Sequence, residues 1–252
     1  MLTIDAVSFH YRGVRALEAV TVAGAPGKLI ALVGRNGSGK STLLRLAAGL
    51  LSSTRGSVRW SGLDLRTLSP QQRARSISYV SQRPQLSIAL SVVESIRLGL
   101  FSAQSDGLAR QRVTDSCVEL GLDGLADRPF HELSAGEQQR CLIARALVQH
   151  RSGGLLVLDE PFSNLDPAEA SRVARVLRAR ALGGGLVLVA MHDLTLADQI
   201  ADQVWLLERG ALLASGPPSQ VLTTSRLCEV FSCEFARGPH GITLCALADR
   251  AR

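Results

Sequence analysis

The stretch Gly34-Arg35-Asn36-Gly37-Ser38-Gly39-Lys40-Ser41 constrains this chain more than any other, because it meets every fixed position of the pattern G-x-x-x-x-G-K-[ST]. Glycines in such a loop let backbone N–H groups turn inward and approach phosphate oxygens closely. Lys40 is then placed to reach the β and γ phosphates, and the Ser41 hydroxyl to ligate Mg²⁺. The flanks agree with this reading. Leu29 to Val33 is a short apolar run that reads as a buried strand. Ser41 to Ala48, with Thr42 in its first turn, reads as a helix whose positive N-terminal end faces the loop. A glycine-rich turn without a ligand is the competing reading. Only Lys28 and Lys40 among the 28 basic residues are lysines, so a chain that otherwise uses arginine keeps a compact ammonium in this loop.

Composition narrows the class. A chain of 252 residues with 46% hydrophobic and 20% charged residues is globular, with room for one large α/β domain or a core with a subdomain. The net charge of +6 suits nucleic acid, a membrane surface or a nucleotide. The arginines are dispersed, however, and aromatic residues make up 4%, which is thin for base stacking, so no nucleic-acid partner is expected. No apolar run approaches the ~18 residues that span a bilayer, and Met1 to Asp5 lacks the basic-then-apolar pattern of a signal peptide. A cytoplasmic protein that meets membranes through partners is the expectation. The cysteines Cys117, Cys141, Cys228, Cys233 and Cys245 form no C-x-x-C pair. They are expected as reduced thiols in apolar surroundings, the alternative being a metal site on Cys228, Cys233 and Cys245.

Along the chain, strand-like segments Leu2 to Tyr11 and Leu17 to Ala23 flank a turn at Arg12-Gly13 and predict an antiparallel sheet. From about Arg83 to His150 the pattern is helical. Within it, Ser91-Val92-Val93-Glu94 and Ser134-Ala135-Gly136-Glu137 both fit the S/T-x-x-E capping box. The apolar runs Leu155 to Leu158 and Leu186 to Ala190 are separated by a helical pattern from Pro167 to Ala181, which is βαβ logic and implies a parallel sheet. Val204 to Leu207 and Ala211 to Ala214 read as a hairpin about Glu208-Arg209-Gly210.

The run Leu155 to Leu158 ends in Asp159-Glu160. A carboxylate at the end of a strand beside the phosphate loop is where a P-loop ATPase holds Mg²⁺, which fits Asp159. Glu160, one residue on, is expected on the other face of the strand, able to accept a proton from an attacking water. Leu133 to Arg140 opens a helix that is both capped and able to present N–H groups to a phosphate. One helix cannot easily share a γ-phosphate with the loop of its own chain, so this site is expected to act in trans.

Taken together these segments resemble the nucleotide-binding subunit of an ATP-binding cassette (ABC) transporter over nearly the whole length. Leu133 to Gln138 resembles the family signature L-S-G-G-Q, with Ala135 in place of a glycine and Glu137 in place of the glutamine. By the same resemblance Tyr11 stacks on adenine, and Gln82 senses Mg²⁺ and the attacking water. Ser163-Asn164-Leu165-Asp166 communicates between subunits, and His192 is the switch histidine at the γ-phosphate. Each also has a plain reading: Tyr11 as a strand-end aromatic, Gln82 as a surface amide, His192 as a structural strand-end histidine, and Asp166 as the cap of the helix that starts at Pro167.

The resemblance implies a P-loop core with a parallel sheet, an N-terminal antiparallel β subdomain and an inserted helical subdomain. The expected division is 1–83 and 151–222 for the core with the β subdomain, 84–150 for the helical subdomain, and 223–252 for a tail. It also implies ATP and Mg²⁺ as ligands, the metal held by Ser41, Gln82 and Asp159. In the implied cycle two copies sandwich two ATP. The loop and helix start (Gly34, Asn36, Gly37, Ser38, Gly39, Lys40, Ser41, Thr42) act from one copy and Ser134 and Gly136 from the other. Glu160 polarises water and His192 stabilises phosphate charge. The segment from Glu208 to Phe231, with a final hairpin from Phe235 to Leu247, resembles the subgroup serving iron–siderophore, haem and cobalamin uptake. That subgroup works on the cytoplasmic side of the inner membrane with an integral-membrane permease, expected to dock near Gln82 to Leu100, and indirectly with a periplasmic substrate-binding protein. The competing class is a cytosolic ATPase of the same cassette type acting on soluble partners, as in Fe–S cluster assembly, and another ABC transporter, including an exporter, stays open.

Overall fold

The computed structural model describes residues 1–82, 90–102, 108–238 and 241–246. Two sheets and a layer of helices carry the architecture. The strands in chain order are β1 (Leu2–Tyr11), β2 (Val14–Gly24), β3 (Leu29–Val33), β4 (Arg55–Trp60), β5 (Leu63–Asp64), β6 (Ile77–Val80), β7 (Leu155–Asp159), β8 (Leu186–Ala190), β9 (Gln203–Glu208), β10 (Ala211–Gly216), β11 (Glu234–Gly238) and β12 (Gly241–Ala246). The helices are α1 (Lys40–Ala47), α2 (Pro70–Ala74), α3 (Val92–Arg97), α4 (Ala109–Glu119), α5 (Ala135–Gln149), α6 (Pro167–Leu182), α7 (Leu194–Ile200), α8 (Pro218–Val221) and α9 (Thr224–Phe231).

The central sheet has the order β10-β9-β3-β8-β7-β6; β3, β6, β7, β8 and β9 run parallel to one another and β10 is antiparallel at the edge. β3, β7 and β8 are buried at every position, as expected for strands covered on both faces, and this is why they read as unbroken apolar runs. Alternate side chains feed two separate cores. Leu29, Ala31, Val33, Leu156, Leu158, Val187 and Val189 face α5, α6 and α7. Ile30, Leu32, Leu155, Val157, Leu186 and Leu188 face α1 and the antiparallel sheet β2-β1-β4-β5. Trp205 on β9 is fully buried in this second core.

Helix starts follow local chemistry. Ser91, Ser134 and Asp166 each cap α3, α5 and α6 in a reciprocal box with Glu94, Glu137 and Glu169. α3, α4 and α5 lie between β6 and β7 in the chain and pack on one another through Val92, Ile96, Val113, Cys117 and Ile143. β4, β5, β6 and the short helix α2, capped by Ser69 and Gln72, have no counterpart in the sequence expectations. The final hairpin runs from Glu234 to Ala246; Leu247, and residues 83–89 of the expected permease-docking stretch, lie outside the described residues. The cysteine expectation needs correcting: Cys117 and Cys141 are buried, Cys228 and Cys233 are half-buried, and Cys245 is exposed on an edge strand. Among the described residues no group of His, Cys, Asp and Glu is arranged to hold a metal, so the alternative on Cys228, Cys233 and Cys245 finds no support. Among the described residues no helix is long and apolar enough to cross a membrane.

His150, directly after α5, is pressed against the Gly154 and Gly185 backbone at the start of β7 and β8; a Cβ on Gly185 would come within 2.9 Å of its Nε2. Burial, assisted by the nearby Arg180 charge, lowers its pKa from 6.5 to about 4. The unfolded chain therefore binds this proton first as pH falls, so the stability that His150 contributes is fully present above pH 6.5 and lost down to about pH 4. A shift of this size corresponds to about 3 kcal/mol. Urea unfolding of the native chain and of His150→Gln across that range should show a shallower pH slope in the variant; equal slopes would contradict the burial argument.

Candidate active site

β3, β6, β7 and β8 all point their carboxyl ends at the same edge of the sheet. Each end delivers chemistry: the Gly34–Gly39 loop after β3, Gln82 just past β6, Asp159 and Glu160 at and after the end of β7, and His192 just past β8. The loop and the start of α1 contribute Asn36, Gly37, Gly39, Lys40, Ser41 and Thr42 to a cleft of about 540 Å³. Gln82, Glu160 and His192 form its other wall, with Ala16 of β2 at the side. A crevice at the carboxyl ends of parallel strands is where ligands bind in open α/β sheets.

The loop is built tightly. A Cβ on Gly34 (φ +148) would lie 2.2 Å from the Leu207 carbonyl oxygen, and one on Gly39 (φ +104) 2.8 Å from that of Ala16. Lys40 Nζ donates to the carbonyl oxygens of Gly34 at 2.8 Å and Arg35 at 3.1 Å, so its ammonium is held under the loop with a third donor to spare. Burial lowers the Lys40 pKa, opposed by the negative charges of Glu160 and Asp159.

Asp159 is buried, which raises its carboxyl pKa; its hydrogen bond with the Ser41 hydroxyl acts in the opposite direction. Asp159 Oδ1 and Ser38 Oγ are buried without any hydrogen-bond partner. Such atoms are costly, and they mark places that a bound group would complete. The Asp159 carboxylate, the Ser41 hydroxyl and the Gln82 amide form an all-oxygen donor set suited to a hard divalent cation, so these residues fit Mg²⁺.

Glu160 ties the far wall together. Gln82 Nε2 donates to its Oε2 at 2.6 Å, and His192 Nε2 lies 2.6 Å from its Oε1. Facing a carboxylate, Nε2 is the protonated ring nitrogen. The strand alternation expected for Glu160 does not carry over. Its N–H bonds to Ala190 O at 3.0 Å and its backbone is left-handed, φ +54, which re-aims the side chain into the cleft as β7 ends.

Other sequence candidates lie elsewhere. Ser134 caps α5, its Oγ accepting from Glu137 N–H at 3.3 Å while Glu137 Oε2 accepts from Ser134 N–H at 2.8 Å. A Cβ on Gly136 would lie 2.8 Å from the Asn164 carbonyl oxygen. Asp166 Oδ1 accepts from Glu169 N–H at 2.8 Å and caps α6. Tyr11 packs edge-on against Phe9, ring centroids 4.7 Å apart, and its hydroxyl sits with that of Tyr79 beside Arg45, whose pKa both raise. None of Tyr11, Ser134, Gly136 and Asp166 lines the cleft.

One lining residue was missed, and one structural link outside the cleft. Ala16 has no sequence signal at all. Arg140 is buried and links Glu169 at 2.7 Å with the Leu120 and Gly121 carbonyl oxygens, joining α5 to α6 and to the end of α4. An arginine on the apolar face of a helix was the available clue.

Comparisons with known proteins agree with this geometry. Residues 17–163 match the family model described as ABC transporter. The chain is 36% identical over 239 residues to the hemin import ATP-binding protein HmuV of Jannaschia sp. (strain CCS1), covering 92% of this chain and 88% of that protein. It is 40% identical to the HmuV of Bordetella pertussis, covering 88% of each. Among solved structures, an ATP-binding subunit of an ABC transporter superposes with TM-score 0.81 at 26% identity, covering 88% of this chain and 91% of that one. A metal-chelate type ABC transporter in an inward-facing conformation gives 0.78 at 26% identity over 96% and 94%. A dimeric cassette with bound ADP and Pi gives 0.79 at 25% identity over 86% and 99%. The chain belongs to the ABC transporter family and is one of its P-loop ATPases.

Proposed function

We propose that this chain is the ATP-hydrolysing subunit of a bacterial importer that takes up haem, and that two copies close around two ATP molecules to drive it. The observation that carries the reading is the incomplete cleft. Lys40, Ser41, Gln82, Glu160 and His192 meet in one crevice, while the N-terminus of α5 with Ser134 and Gly136 stands apart from it. A second copy facing the first supplies the missing wall, with Asp166 and Asn164 between the two sites. The narrowing from siderophore, haem or cobalamin to haem is supported by relatives whose names specify hemin import.

In this scheme the inward N–H groups from Gly34 to Gly39 and the Lys40 ammonium bind the β and γ phosphates. Asp159, Ser41 and Gln82 would hold Mg²⁺, which would supply positive charge to offset that of the phosphates. Glu160, held by Gln82 and His192, orients the attacking water and accepts its proton. His192 then presents its N–H to the γ-phosphate oxygens as charge shifts towards the leaving group. Tyr11, which packs on Phe9 outside the cleft, is assigned to the adenine on the family resemblance alone. Ranges 1–83 with 151–222, 84–150 and 223–252 act as core, helical subdomain and tail. The partners are an integral-membrane permease and, through it, a periplasmic haem-binding protein, which places the chain on the cytoplasmic face of the inner membrane.

Two measurements test this. Glu160→Gln should lower kcat by a factor on the order of 10²–10⁴, the usual worth of a general base, and accumulate an ATP-bound dimer on size exclusion; unchanged steady-state hydrolysis would remove Glu160 from the role. Purification of the tagged chain from solubilised membranes should bring a polytopic permease whose reconstituted complex hydrolyses ATP faster with haem-loaded binding protein. Recovery of soluble scaffold proteins alone would refute transport while leaving the ATP chemistry in place.

A further inference from the structure

The switch residue His192 stands on an unusual footing. It sits between the end of β8 and α7, a helix of seven residues whose N-cap, Asp193, is its immediate neighbour. A helix this short does not hold its own shape in water; its order comes from what packs on it. Leu194 and Ala197 are buried against the parallel sheet. On one flank lies an open groove of about 590 Å³ between α6 and α7, lined by Phe162, Leu165, Ala174, Leu196 and Ile200. On that flank α7 has room to tilt. The His192 side chain is 44% exposed and bonds to Glu160 through Nε2.

The other flank is occupied by the C-terminal hairpin. Arg237 of β11 grips Asp198 with two parallel hydrogen bonds of 2.8 and 3.1 Å and also donates to the Leu222 carbonyl oxygen at 3.1 Å. The Thr195 hydroxyl donates to the Ile242 carbonyl oxygen of β12. Gly241 lies against Thr195, where a Cβ would come within 3.0 Å of Cγ2, and Ile242 is buried beside them. Thr195 and Asp198 are three residues apart, on one face of α7, so the hairpin holds both of its turns. Asp198 is only 13% exposed, and a planar guanidinium meeting a carboxylate through two bonds fixes orientation as well as distance.

We infer that the C-terminal hairpin is a brace that positions His192 for catalysis, with Arg237 acting through Asp198 and α7 as the positioning residue. Release of this contact lets α7 lean into the open groove and draws Asp193 and His192 away from Glu160. ATP binding by the Lys40 loop, on the other side of the cleft, stays as it was. The inference rests on the role proposed for His192 and adds a control point for it, in a tail that carries no cassette motif.

The test uses the full chain with Arg237→Ala, Asp198→Ala and the charge-swapped pair Asp198→Arg with Arg237→Asp. Each single variant should lower kcat about tenfold, on the scale by which a small misplacement of a catalytic group slows a reaction. KM for ATP should stay within about twofold. Amide hydrogen exchange over residues 194–200 should accelerate in both, and the swapped pair should recover most of the rate and the protection. Normal kcat in the single variants, or a lowered kcat with α7 exchange unchanged, would overturn the brace. Absence of hydrolysis in the native chain would instead fail the functional reading on which it rests.

Discussion

The parallel register of β3, β8, β7 and β6 is the constraint on which the rest depends. Hydrogen bonding places Leu32 opposite Ala190, Asp159 opposite Ala190 on the other side, and Val80 opposite Leu158. The strand ends are therefore level, and four loops that are far apart in sequence open onto one crevice. Two backbone bonds extend this order past the strands: Met191 N–H to Leu32 O, and Glu160 N–H to Ala190 O. A slip of one residue in any of these strands would exchange its two buried faces and scatter the site. The apolar side chains feeding both cores thus stabilise the fold and aim the catalytic groups together.

Within the crevice the charges are arranged for a guest more acidic than the protein. Lys40 is held buried by carbonyl oxygens and by the fields of Asp159 and Glu160. Asp159 keeps one oxygen without a partner, while Glu160 uses both of its oxygens on Gln82 and His192. The two neighbouring carboxylates thus have different surroundings: one is buried at the root of the loop, the other spans between strand ends. The capped start of α5 lies away from the cleft of its own chain, which is the observation behind the proposal that a second copy completes the site.

Much of this was legible in the residues, for identifiable reasons. β3 and β8 begin and end where the apolar runs do, because strands buried on both faces leave an unbroken hydrophobic trace. The boxes at Ser91, Ser134 and Asp166 mark helix starts because the capping chemistry is local. β4 was hidden because Arg55-Gly56-Ser57-Val58-Arg59-Trp60 puts arginines on its open face, and β6 because it is four residues long and carries a buried serine, Ser78. The aim of Glu160 was misjudged because a left-handed glutamate has no signature in sequence; it is imposed by the turn that closes β7. Tyr11, Ser134 and Gly136 read as nucleotide contacts yet stand outside the cleft. For Ser134 and Gly136 the proposed second copy accounts for this, whereas Tyr11 packs on Phe9 beside Arg45 of its own chain.

That division is the central claim, and mixing two disabled chains tests it most directly. One carries Lys40→Ala and the other Ser134→Ala, each intended to inactivate both sites of its own homodimer. In a mixed dimer one site collects both lesions and the other collects neither. Mixing should therefore restore ATP hydrolysis that neither preparation shows alone. Hydrolysis that stays at the level of the separate chains would mean that each copy completes its own site, and the shared-site account would be wrong.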